Sequence, residues 1–343
     1  MSRAAAYTGG HSVTATEVEP REPGPGEVAV QPAYTGICGT DLHIFHGDMD
    51  QRVTTPAVLG HEMSGRITAL GPGVDGWAAG DHVTVLPVVP DGTCPACRAG
   101  YRHVCPGLVF LGIDAPGAMQ ERWTVPAGLL VRLPRALALD AAALVEPTAV
   151  AVHDVRRAGL RPGEQALVVG AGPVGTLIAL VARAAGADVT VVEPDAYRRS
   201  VAAGLGFRVV PPGEAAAAVA DWTSGNGAPV AFEVSGAQAG LETAVASLAV
   251  RGRLCLVAIH PRPRPVDLHR FFWRELTLVG ARLYERPDFE RAAELVAAGD
   301  IPASTLISRI EPLERAEHAF KALEAGGTEM KILIQCTSEE SRS

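Results

Sequence analysis

The residues able to do chemistry are concentrated in residues 36–65, GICGTDLHIFHGDMDQRVTTPAVLGHEMSG. The stretch supplies a thiol at Cys38, a Thr-Asp-x-His run at Thr40, Asp41 and His43, and a Gly-His-Glu turn at Gly60, His61 and Glu62. A thiolate, an imidazole and a carboxylate are donors that a catalytic zinc takes, and such a site must leave one position open for substrate. Each residue alone reads as a buried cysteine or an unrelated histidine; together they read as a metal site. Neighbours in an extended segment point to opposite faces, so His61 and Glu62 can reach one ion only if their turn is irregular. Glu146 stands before Pro147 in the apolar setting LVEPTAVAV, where a carboxylate needs a partner and a metal ion would serve. The alternative for Glu146 is an ordinary carboxylate at a helix end.

A second constellation lies in residues 90–107, PDGTCPACRAGYRHVCPG. The Cys94-x2-Cys97 pair brings two sulfurs to one ion, and a wider loop returns a third at Cys105. Asp91 repeats the two-residue spacing on the other side of Cys94, so its carboxylate can complete a structural zinc site; His103 is the rival fourth ligand. Cys255 and Cys336 sit in the apolar runs RLCLVAI and KILIQC, where they read as small buried hydrophobes in strands. Six cysteines in 343 residues are too few for a disulfide scaffold and suit a reducing compartment.

After Gly159 the chain changes character. EQALVVGAGPVGTLIALVARAAGADVTVVEPDAYRRSVAAGLGF is an apolar run, a glycine turn, an apolar helix, a second apolar run and an acid. Gly170, Gly172 and Gly175 form G-x-G-x-x-G, with Pro173 and Val174 inside the turn. Glycines let the backbone approach a pyrophosphate, and the following helix offers free N–H groups and a positive dipole end. Glu193 lies 21 residues beyond Gly172, where a carboxylate can bind both hydroxyls of the adenosine ribose and repel a 2′-phosphate. NAD is therefore expected ahead of NADP. Arg198 and Arg199 can neutralise a phosphate or be solvated helix charges, and Ser235 closes the next apolar run, PVAFEVSG, on the cofactor side.

These groups need elements to position them. Residues 1–35 alternate polar and apolar with many prolines and glycines, which predicts short strands of a β-rich domain. MSGRITALGPGVDGWAAGDHVTVLP predicts two further strands, and residues 140–158 the first long helix, interrupted by Pro147. From 164 to about 280 strands alternate with helices, including EAAAAVA and residues 239–249, which implies a doubly wound parallel sheet ending at LTLVGA. The last part predicts helices at PDFERAAELVAAG and LERAEHAFKALEAG, a strand at KILIQC, and a polar, unstructured tail TSEESRS. A net charge of −8 gives no basic footprint for nucleic acid. No apolar run reaches membrane-spanning length, and the N-terminus lacks a signal-peptide core, so a cytoplasmic location is expected.

GICGTDLH, GHE, the cysteine loop, VEPTAVAVH, GAGPVG and ARLYERPDFERAAELVAAG together resemble the zinc-dependent medium-chain alcohol dehydrogenases, nearest the polyol, butanediol and threonine dehydrogenases. The resemblance spans nearly the whole chain. It implies an α/β protein: a GroES-like β-rich catalytic domain split between residues 1–151 and 281–343, with a Rossmann NAD-binding domain at 152–280 and the active site in the cleft between them. Carried over, Cys38 and His61 are catalytic zinc ligands, with Glu62 and Glu146 contributing directly or through water. Asp41 orients the imidazole of His61. Thr40 accepts a hydrogen bond from the alcohol and passes its proton through the nicotinamide ribose to His43. Two departures stand out: Asp91 replaces the first of four loop cysteines, and Gly39 replaces an arginine that in some relatives contacts the pyrophosphate.

The implied reaction is zinc-assisted hydride transfer from a secondary alcohol to NAD, giving a ketone, with a vicinal diol or polyol as the favoured substrate. Threonine, or a cyclitol or sugar intermediate of a biosynthetic pathway, is the alternative. A non-catalytic NAD-binding sensor would need none of Cys38, His61, Glu62, Glu146, Thr40 and His43, and a zinc-free quinone reductase would need neither metal constellation. A homodimer or homotetramer joined through the LTLVGA edge is expected from the relatives.

Overall fold

Proline-punctuated alternation in the N-terminal part becomes short strands, and the apolar runs after Gly159 become a regular alternation of strand and helix. The computed structural model describes residues 1–260 and 262–337. Its chain divides into two compact units, residues 1–146 with 285–343, and residues 147–284. Ten strands come first: β1 (Ser2–Gly9), β2 (Ser12–Val18), β3 (Glu27–Gly36), β4 (Ala57–Val58), β5 (Glu62–Leu70), β6 (His82–Val85), β7 (Val88–Val89), β8 (Val109–Phe110), β9 (Trp123–Pro126) and β10 (Leu130–Arg132). Six follow in the second unit: β11 (Gln165–Val169), β12 (Asp188–Val192), β13 (Arg208–Val210), β14 (Ala228–Glu233), β15 (Leu248–Leu256) and β16 (Thr277–Gly280). The chain then returns to the first unit with β17 (Ile307–Pro312) and β18 (Lys331–Gln335).

In the first unit β1 pairs antiparallel with β2 and β4, while the larger sheet runs β10-β6-β5-β3-β18-β17, with β9 also on β3. Alternating residues of this sheet, among them Val28, Val30, Met63, Ile67, Val83 and Val125, face inward and are buried. The long β3–β5 ladder sets Gly36 opposite Glu62, and β18 sets Leu333 opposite Gly36. Strands from both ends of the chain thus meet beside Glu62.

The second unit is an all-parallel sheet of order β13-β12-β11-β14-β15-β16. Parallel strands buried on both faces read as continuous apolar runs, as QALVV and DVTVV do. Leu167, Val169, Ala231 and Leu254 pack here against Leu241, Val245 and Trp222 from the flanking helices. No helix among the described residues is long and apolar enough to cross a membrane.

Three local expectations change. Pro147 does not interrupt the helix at Val145–Arg157, because it sits in the first turn, where no intrahelical N–H is needed; the break falls earlier, after the short helix Leu139–Ala142. The helix expected to Ala249 ends at Ser247, and the next strand begins at Leu248, before RLCLVAI. β17, from ISRIEP, went unforeseen because its alternating charges resemble a loop; it is held by parallel pairing to β18. The tail residues 338–343 lie outside the described residues.

The glycine turn illustrates how tightly the backbone is specified. Gly170 has φ +108°, and a Cβ on Gly175 would lie 1.9 Å from the Gly170 carbonyl oxygen. Gly175→Ala is therefore expected to push strand and helix apart, cost about 2 kcal/mol of stability and lower NAD affinity; an unchanged Tm would contradict this packing.

Candidate active site and metal centres

The first site is built on a short helix, Gly39–Phe45. Cys38 is its N-cap: its sulfur accepts the Thr40 N–H at 3.1 Å, and the Asp41 carboxylate closes a capping box by accepting the Cys38 N–H at 2.9 Å. The capping thus fixes the direction of the thiol. Asp41 is fully buried, and its Oδ1 lies 3.6 Å from Nδ1 of His61, so the imidazole turns its other nitrogen elsewhere. Burial pushes the Asp41 carboxyl up from its ordinary pKa, opposed by His61 and the Cys38 N–H.

His61 and Glu62 follow a glycine whose φ is +94°, the irregular turn their joint use requires. A side chain on Gly60 would also strike Thr35 and Met119. Donor atoms of Cys38, Asp41 and His61 lie within 4.8 Å of one another, and so do those of His61, Glu62 and Glu146. All but Cys38 are buried. Burial alone would depress the His61 pKa, but the negative surroundings of Cys38, Asp41 and Glu146 outweigh it and raise the pKa well above its usual value. Converging thiol, imidazole and carboxylate donors have the charge and type to hold a divalent cation, so the residues fit a zinc ion.

Lys331 at the start of β18 is one residue that sequence reasoning missed. Its Nζ donates to both Glu62 oxygens, at 2.8 and 2.7 Å, and to the Ile37 carbonyl at 3.0 Å. The only signal was a lone lysine opening an otherwise apolar strand, KILIQC. Burial lowers its pKa, but Glu62, Cys38 and Glu146 reverse this and leave it raised. Thr40 is half-buried, whereas the His43 side chain is 59% exposed with Nδ1 2.9 Å from Asp48 Oδ2.

The second cluster gathers Asp91, Cys94, Cys97 and Cys105, with all ligand atoms within 4.8 Å of one another. Cys94 and Cys105 sulfurs are 3.8 Å apart, far beyond a disulfide. That is the edge of a tetrahedron with Zn–S bonds of about 2.3 Å. Burial and the neighbouring thiols push Cys97 up to about 12, whereas the Cys97 N–H draws the Cys94 thiol down. Asp91 divides its carboxylate: Oδ1 accepts the Thr93 and Cys94 N–H groups at 2.7 and 2.8 Å, which hold its pKa well below the usual range. Its Oδ2 lies over Gly107, where a Cβ would approach to 3.0 Å. The rival, His103, lies outside the cluster with Nδ1 3.8 Å from Glu285.

In the second unit Gly172 caps the helix Pro173–Ala184, and Pro173 and Val174 form its first turn. Glu193 is buried after β12; its Oε2 accepts the Ala171 N–H at 2.6 Å and its Oε1 the Asp195 N–H at 2.8 Å. A carboxylate has about four lone-pair sites, so acceptor capacity remains for a ribose. Arg198 lies beside Gly172, while Arg199 is engaged with the Glu193 and Pro194 carbonyls. Ser235 is positioned by Glu233, a fully buried acid that sequence reasoning passed over and that also binds His260 at 3.0 Å.

A GroES-like β unit carrying two zinc-type donor clusters, together with a Rossmann unit, defines a zinc-binding dehydrogenase. The chain matches the family profiles described as alcohol dehydrogenase GroES-like domain over residues 24–135 and zinc-binding dehydrogenase over residues 173–298. It belongs to the zinc-dependent medium-chain alcohol dehydrogenase family and is an alcohol or polyol dehydrogenase. It is 46% identical to 2-dehydro-3-deoxy-L-galactonate 5-dehydrogenase of Pseudoalteromonas atlantica, over 98% of this chain and 99% of the relative. It is 35% identical to L-threonine 3-dehydrogenase of Pyrococcus horikoshii, over 93% and 94%. Among solved structures, 2R,3R-butanediol dehydrogenase from Bacillus subtilis superposes with a TM-score of 0.90 at 30% identity, covering 98% and 99%. These findings set aside the sensor and the zinc-free quinone reductase.

Proposed function

We propose that this enzyme oxidises a secondary alcohol flanked by further hydroxyls, in a 2-dehydro-3-deoxy sugar acid, with NAD as hydride acceptor. The observation that carries the substrate class is the 46% identity, over essentially the whole of both chains, to a dehydrogenase named for carbon 5 of such an acid. In that compound carbon 5 lies between two hydroxyl-bearing carbons, so the reading keeps the vicinal diol expected from the sequence. Cys38, His61, Glu62 and Glu146 are the proposed holders of a catalytic zinc, directly or through water, with Asp41 orienting His61. When bound, zinc supplies Lewis acidity that lowers the alcohol's pKa, and NAD supplies the hydride acceptor.

The chain's own residues handle the proton. Thr40 and His43 stand three apart on one helix and therefore share a face. The Thr40 hydroxyl accepts the alcohol's hydrogen bond, and His43, exposed and steadied by Asp48, hands the proton to water. Gly170, Gly172, Pro173, Val174 and Gly175 take the pyrophosphate, Glu193 the adenosine ribose, and Arg198 and Ser235 flank the cofactor. The favoured cofactor is NAD because Glu193 places a negative charge where NADP carries a phosphate. Asp91, Cys94, Cys97 and Cys105 are proposed to hold a structural zinc.

Two copies are proposed to associate through β16, the last strand of its sheet. Leu278 on that strand is 48% exposed, and Phe272 and Trp273 just before it 76% and 68%, an apolar edge that a second copy would cover. Six unpaired cysteines, four of them in donor clusters, support a reducing, cytoplasmic setting.

Two expected outcomes check this reading. Asp91→Asn keeps an acceptor for the loop N–H groups but loses the charge; zinc content should fall from two equivalents per chain toward one, and an unchanged content would remove Asp91 from the ligand set. In an NADH assay, 2-dehydro-3-deoxy-L-galactonate should be turned over far faster than L-threonine, sorbitol, 2,3-butanediol or inositol, and faster with NAD than with NADP. Silence on the sugar acid with rapid turnover of threonine would overturn the substrate class.

A further inference from the structure

We propose that a polar pocket on the first unit's larger sheet is a carboxylate-binding site, separate from the active site. The pocket, a cavity of about 370 Å³, has Gln31, Arg66, His82, Arg135, Asp140 and Thr337 in its lining. Its floor follows from strand register. Gln31 of β3 pairs with Arg66 of β5, and Arg66 pairs with His82 of β6. Directly paired residues of neighbouring strands point to one face, so the three side chains form a polar row across the sheet. The alternate residues Met63, Ile67 and Val83 go to the core on the other face. Residues 135–140 and Thr337, just beyond β18, complete the wall. None of the lining residues is a donor of the Cys38–His61 site. Ser64, between Arg66 and Glu62 on their face of β5, is tied to the Leu139 carbonyl.

The charges around this row do not cancel. Arg66 Nε donates to Nε2 of His82 at 3.2 Å, which directs the guanidinium along the sheet. Arg135 lies 3.7 Å from Asp81 Oδ1, but the other oxygen of Asp81 is taken by Arg132 at 2.8 Å. Asp140 accepts the Ala141 N–H at 2.8 Å through Oδ1. Burial, then Arg66 and Arg135, hold His82 below its ordinary pKa, and Asp81 opposes them without reversing the shift. The imidazole therefore sits in a positive field. Planar guanidinium donors match a carboxylate, and the Gln31 amide and Thr337 hydroxyl add polar groups for the rest of an acid. Two sources offer that carboxylate: a free dicarboxylic acid, or Glu339 and Glu340, which follow Thr337 in the sequence and lie outside the described residues.

The imidazole of His82 reports on the pocket directly, so an acid bound at the active site does not enter the reading. In the intact enzyme labelled with carbon-13 at histidine Cε1, the His82 signal is identified by its loss in His82→Gln. It is then followed as succinate is added, against sodium chloride of matched ionic strength. A saturable shift with succinate and none with chloride is expected. Arg135→Gln, an exposed change that leaves the sheet intact, should weaken the succinate response about tenfold. The double variant Arg66→Gln/Arg135→Gln should abolish it. The same titration on a chain shortened to end at Thr337 separates the two sources. Tighter succinate binding after shortening, reproduced by Glu339→Gln/Glu340→Gln, would make the chain's own glutamates the occupant. An affinity that does not rise would make the occupant a free acid. Equal responses to succinate and chloride in both chains, or a succinate response untouched by Arg135→Gln, would overturn the site.

Discussion

Buried anionic donors repel one another and must be compensated, and the first unit is arranged around that requirement. Cys38, Asp41, Glu62 and Glu146 gather about one imidazole with little water to screen them. One lysine and one imidazole stand beside these four acidic groups. A divalent cation would supply balancing charge, and the donor types fit zinc. The cysteine loop repeats the logic on a smaller scale, with three thiols and one carboxylate converging within 4.8 Å of one another.

Holding these groups in place falls to backbone features rather than to bulk. The helix cap orients Cys38, the left-handed Gly60 brings His61 and Glu62 to one side, and the absent side chain of Gly36 gives the carboxylate its room. β18 closes the arrangement from the far end of the sequence. In the second unit the same economy appears at Gly170 and Gly175, whose close approach forms the glycine turn, and at Glu193, which pins that turn through the Ala171 N–H.

The order of strands and helices was legible because period-two alternation, continuous apolar runs and glycine turns each carry their own signal. So were Cys38, His61, the cysteine loop and G-x-G-x-x-G, whose spacings are short. Lys331 was not legible. It lies 269 residues from Glu62, and only the pairing of β18 with β3 brings the two together. Glu233 and His260 escaped for a similar reason: each looks like a stray polar residue until its strand end is placed. β17 was hidden because its inward positions carry charge, a buried Glu311 and a half-buried Arg309 paired to each other, while Ile310 is exposed. Asp91 was visible by spacing, but its hold on the loop N–H groups required the hydrogen bonds.

The most direct measurement is anomalous diffraction at the zinc absorption edge from crystals of the purified protein. The account predicts two peaks per chain, one bounded by Cys38, His61, Glu62 and Glu146 and one inside Asp91, Cys94, Cys97 and Cys105. A protein that turns over its alcohol with no peak between Cys38 and His61 would contradict it.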